Sequence, residues 1–140
     1  MSEQDQEIQA LLAGAHMKIE GATTTALRPD TTSAEATNAY DSVADAVNLA
    51  TKAFMRAQGY SGLSQESAPA LLHRVMTLLR RLRVKDVPSE TDLTVMVFKR
   101  NSSVHDGVAS ITEVEQLKAV VELANSYLGI VEHFSRNVVH

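Results

Sequence analysis

The sequence predicts an all-α protein, and three observations carry that expectation. Apolar residues recur in steps of three and four along most of the chain. Hydroxyl-x-x-acid signatures stand just ahead of several of these runs, where a helix needs a cap. Only one stretch, DLTVMVFKR, has a strand-like composition, and no second strand offers itself as its partner. The architecture expected is an antiparallel bundle of four long helices and one short helix, forming one domain over residues 1–140.

The first helix is expected over roughly Gln4 to Glu20. Ile8, Leu11, Leu12, Ala15 and Ile19 give it one apolar face, and Gly21 and the Thr-rich ATTTALRPDTT close it. Thr32 and Glu35 then form a capping box for a second helix, about Ser33 to Gln58. Its seam of Ala36, Tyr40, Val43, Val47, Ala50, Phe54 and Ala57 is heptad-like, and Gly59 supplies the stop. Ser67 caps a third helix with Pro69 in its first turn, where a missing N–H costs nothing. Leu72, Val75, Leu79 and Leu82 line its buried side, Leu71 and Leu78 widen it, and its last turn carries Arg80, Arg81 and Arg83.

Ser89 and Asp92 supply a start for the fourth segment, read as a short helix because a lone strand would leave its backbone groups unpaired. The fifth helix opens at Thr112-x-x-Glu115 and continues through Val114, Leu117, Val121, Ala124, Leu128 and Val131, with Val120, Tyr127 and Phe134 beside them. Apolar faces this wide on the second and fifth helices leave room for a dimer seam.

Composition narrows the function. Hydrophobic residues make up 44% of the 140, enough for a core, while aromatics are only 4%, so that core is mainly aliphatic. Without a cysteine there can be no disulfide, no zinc–thiolate site and no cysteine nucleophile. No Walker loop, GxGxxG or GxSxG is present, and no cofactor or metal is expected. The acidic MSEQDQEIQ start and the lack of a long apolar run lead us to expect a cytoplasmic protein without a membrane partner. A net charge of −4 argues against coating nucleic acid by bulk electrostatics, yet RRLRVK between Arg80 and Lys85 carries four positive charges. His16, His73 and His133 have no companions at metal-ligand spacing and read as surface or boundary residues. Met17, Met55, Met76 and Met96 read as core or boundary filler.

The segment with chemical content is FKRNSSVHDG, residues 98–107, which reads as a break between the last two helices. RNA carries its own nucleophile, the 2′-OH, so a base that titrates near neutrality and a cation for the phosphate suffice to cleave it. Histidine and arginine are the side chains that fit, and Arg100-x4-His105 supplies one of each. The residues alone also support a plainer reading, in which Arg100 caps the carbonyls ending the fourth helix, His105 sits in solvent, and Asp106-Gly107 makes the turn.

RNSSVHDG, placed late in an all-α chain, resembles the HEPN superfamily (higher eukaryotes and prokaryotes nucleotide-binding), whose marker is Arg, a polar residue, a few variable positions and His. The alanine-rich ATNAYDSVADAVNLATKAFMRAQGYS is similar to that family's tyrosine-bearing helix with a glycine-ended close. The resemblance implies a HEPN-like homodimer that brings two copies of the motif over one cleft, and a metal-independent endoribonuclease acting as a toxin or in phage defence. It implies His105 as general base or acid, Arg100 on the phosphate and Asn101 orienting the pair. An antitoxin or nucleotidyltransferase partner goes with toxin members, but the Tyr often found two residues after the His is Gly107 here. Lys99, with Arg80, Arg81 and Arg83, is the expected path for RNA. A catalytically silent module that binds nucleotide or RNA, and a helical protein-interaction adaptor, are the alternatives.

Overall fold

The computed structural model describes residues 2–106 and 114–136, with side chains throughout except at 101–106, 114 and 136. All-α is the class observed: α1 spans Glu3–Leu27, α2 Ser33–Ala57, α3 Ala68–Arg81, α4 Glu90–Asp106 and α5 Val114–Arg136. A single 3-10 turn, Leu63–Gln65, precedes α3, and no strand occurs among the described residues. None of the described helices is long and apolar enough to cross a membrane.

The first helix is longer than expected at both ends. Ser2 and Asp5 form a reciprocal capping box at its start. At the other end it passes straight through Gly21, because Ala22 and Ala26 prolong the buried stripe of Ile8, Leu12, Ala15 and Ile19. Thr23, Thr24 and Thr25, which suggested a loop, turn their hydroxyls back onto the carbonyls of Ile19, Glu20 and Gly21. What ends the helix is Pro29: the residue before it, Arg28, is pushed to extended backbone with ψ 134°. Arg28 then pairs with Glu35 across the turn.

α2 runs back along α1. Gln4 donates to the Arg56 carbonyl and Glu7 accepts from the Arg56 guanidinium, Gly14 faces Leu49, and Lys18 faces Asp45. As the α1 number rises the α2 number falls, which is antiparallel packing. The approach is close, since a Cβ on Gly14 would stand 3.3 Å from Leu49 Cδ1. α2 packs against α1, α3, α4 and α5 and is the hub of the fold. Its entire expected seam is buried, and seven of its buried residues are alanines. Thr32 and Glu35 form the expected capping box.

α2 and α3 end in the same geometry with different residues. After α2 the N–H of Gly59 donates to Arg56 O and that of Tyr60 to Met55 O, with Gly59 at φ 84°. After α3 the N–H of Arg83 donates to Arg80 O and that of Val84 to Leu79 O, with Arg83 at φ 56°. Both are Schellman closures, which need a left-handed residue that glycine supplies without a Cβ clash. Arg83 therefore lies beyond α3 rather than in its last turn, and Leu82, expected on the buried side, is 57% exposed as the chain turns away.

The fourth helix is 17 residues long, not short, and it continues to Asp106 where a break was expected. Leu93, Met96 and Val97 are its buried stripe. In α5, Leu117, Val121, Ala124, Leu128 and Val131 are buried as expected, and Tyr127 is fully buried with them. The expected Thr112 cap lies outside the described residues. Met55, Met76 and Met96 are core, whereas Met17 is 73% exposed.

Candidate functional site

The inward stripe of α4 explains where its arginine goes. Leu93, Met96 and Val97 face the core, and the next residue in the same i, i+3, i+4 register is Arg100. The helix thus carries a guanidinium along a face built for aliphatic side chains, and a half-buried cation needs a counter-ion. Asp45 of α2 provides it: Arg100 Nε lies 2.9 Å from Asp45 Oδ1, with the two side chains 27% and 29% exposed. Nε is buried, and at that distance its N–H still does not aim at an acceptor. The contact is an ion pair by distance without hydrogen-bond alignment. The other carboxylate oxygen of Asp45 lies 3.8 Å from Lys18 Nζ on α1. Three helices therefore bring two cations and one anion together.

Asn101 and His105 share α4 with Arg100, but their side chains lie outside the described residues, as does Gly107. Lys99 is half-buried beside Arg100. The other basic residues sit elsewhere. Arg80 donates to Glu90 at the start of α4 (3.0 Å), and Arg81 and Arg83 are exposed at the end of α3. Glu90 and Arg100 are separated by about 15 Å of helix rise, so the two basic groups lie far apart along α4.

Glu90 also accepts from His73 Nδ1 at 2.9 Å, and these two donors hold its carboxyl below the usual range, with the His73 hydrogen bond the larger cause. His73, expected from sequence as a surface or boundary residue, is exposed, and through this bond it joins α3 to α4. His16 likewise joins α1 to α5 through Glu132. A cleft of 470 Å³ over α3 gathers His73, Arg74 and Arg81 above Leu78, and Arg74 is held there by Glu66 and lies over the Tyr60 ring. No group of three or more metal-ligating side chains occurs among the described residues.

Asp45 was not singled out in the sequence. The available signal was an acid set inside an alanine-rich helix, next to buried Ala44 and Ala46, where only a cation from another element could neutralise it. Comparison with protein-family models, with curated proteins and with solved structures finds no match to this chain.

Proposed function

We propose that the protein is a metal-independent endoribonuclease of HEPN type, acting through Arg100 and His105 in a homodimer, with a toxin or phage-defence role. Support comes from the Arg-Asn-x3-His spacing in an all-α chain. The observation that carries the reading is the environment of Arg100: a guanidinium drawn into the helical packing, ion-paired to Asp45 through its buried Nε, with the rest of the side chain still partly exposed. An arginine that merely capped its own helix would need no carboxylate from α2.

In this mechanism His105 removes the 2′-OH proton and the alkoxide attacks the adjacent phosphorus. Arg100 binds the phosphate oxygens as their charge grows, and Asn101 orients the reacting groups. The second protomer's copy of the histidine protonates the leaving 5′-oxygen, giving a 2′,3′-cyclic phosphate and a 5′-hydroxyl. Lys99, Arg80, Arg81 and Arg83 steer the strand, and a cognate antitoxin or nucleotidyltransferase restrains the enzyme in the cytoplasm.

The test is cleavage of a mixed-sequence RNA in excess chelator. The parent should produce cyclic-phosphate ends, and Arg100→Ala or His105→Ala should each lower the rate by about 100-fold or more without loss of helix content. A parent that binds RNA without cutting it, and still binds after His105→Ala, would instead identify a silent binding module.

A second reading has its own observation. Val95 and Phe98, one turn apart on the outer face of α4, are 44% and 69% exposed. Such a pair fits an adaptor helix that docks a protein partner, and Phe98→Ser abolishing a protein complex while RNA cleavage is absent would favour it.

A further inference from the structure

We propose that Asp45 is a positioning residue for Arg100, and that Lys18 fixes Asp45 in turn; the inference rests on the endoribonuclease reading above. A phosphate-binding arginine is effective only where its fork is already aimed, because the long side chain otherwise loses rotamer freedom when the substrate arrives. Here the fork is tethered at its inner atom. Nε is the guanidinium nitrogen nearest the side-chain stem, it is buried, and it is the atom that approaches Asp45 Oδ1 at 2.9 Å. The remaining 27% exposure of the side chain belongs to its other atoms.

Lys18 and Arg100 approach different oxygens of the same carboxylate, Arg100 at 2.9 Å and Lys18 at the longer ion-pair distance of 3.8 Å, so each draws it from its own side. Charge is left over as well. Lys18, Asp45 and Arg100 sum to +1, so Asp45 anchors the arginine without cancelling the attraction of the group for a phosphate.

The experiment is steady-state cleavage of an oligoribonucleotide by the full-length parent, Arg100→Ala, Asp45→Asn, Asp45→Glu and Lys18→Gln, each checked for helix content and Tm. Asp45→Asn keeps the shape and removes the charge. We expect kcat to fall about 10- to 100-fold, the scale of a misplaced catalytic group. KM should stay level or drop, because a negative charge has left the neighbourhood of the substrate. Asp45→Glu should recover part of the lost kcat. A role confined to folding would lower Tm without this split between kcat and KM. A folded Asp45→Asn with parental or raised kcat overturns the proposal. Should that variant not fold, Lys18→Gln decides: a fall of about two- to fivefold in kcat supports the tether, and no fall overturns it. A parent without cleavage, or an active Arg100→Ala, sinks the endoribonuclease reading itself. An inactive Arg100→Ala beside a fully active Asp45→Asn removes the positioning role alone.

Discussion

The buried hydroxyl pair between α2 and α5 makes a directional prediction. Thr51 Oγ1 lies 2.8 Å from Val47 O and 2.6 Å from the Tyr127 hydroxyl, and both residues are core. Thr51 has one hydroxyl proton, and a carbonyl can only accept, so that proton goes to Val47. The Tyr127 hydroxyl must therefore donate to Thr51. The two deletions are consequently unequal. Tyr127→Phe removes one hydrogen bond and leaves Thr51 satisfied by Val47, at a cost of about 1 kcal/mol. Thr51→Val is close in shape but strands the tyrosine O–H in a fully buried site, at about 2–3 kcal/mol. The double variant should be less destabilised than Thr51→Val alone, because no orphan donor remains. With an unfolding entropy near ~2.1 cal/mol/K per residue, 1 kcal/mol corresponds to about 3 °C in Tm for a chain of this size. Urea unfolding of the four members of the cycle measures these differences. If Tyr127→Phe proves costlier than Thr51→Val, or if the two costs simply add, the assigned direction of the bond is wrong.

Two further predictions concern stability. Replacing Arg83 by Gly at φ 56° relieves the left-handed strain of the α3 closure, and should raise stability by about 1 kcal/mol in thermal unfolding; a fall in Tm would show that the arginine side chain contributes more than its backbone costs. Burial, with a smaller push from Asp41, drives the Tyr40 hydroxyl up to about 12, and complete burial raises Tyr127 further. Both ionise near ~10 in the unfolded chain. Their contribution is therefore fully present below that pH and is lost as pH rises through the folded values, so urea midpoints should drop steadily above about pH 10. Constant midpoints up to pH 12 would refute it.

Most of the α2 seam was legible because its period is strict and its ends carry Thr32, Glu35 and Gly59, each with a single strong reason to sit where it does. The Thr-rich end of α1 was misread for a physical reason: threonine favours loops only while its hydroxyl competes with the helix, and here three of them bond backward along it. The length of α4 was hidden because polar residues after Arg100 carry no periodic apolar signal, and the exit of Arg83 was hidden because a left-handed arginine has none of glycine's signature. At the candidate site Arg100 could be read from sequence, whereas Asp45 and Lys18 could not. They lie 55 and 82 positions from it, and only the antiparallel pairing of α1 and α2 and the docking of α4 make them neighbours.

The alanines of α2 have a consequence for that charge group. Its members stand on three helices, so their separations depend on how far apart the helices sit. On α2 that distance is set largely by methyl groups, which have no rotamers and cannot repack to absorb a change. A leucine core can hold its helices at several spacings by reshuffling side chains. An alanine-lined contact has one. On the α2 side the spacing of Lys18, Asp45 and Arg100 therefore has little slack, and what give there is must come from the longer side chains opposite, such as Ile19 of α1 and Leu93, Met96 and Val97 of α4.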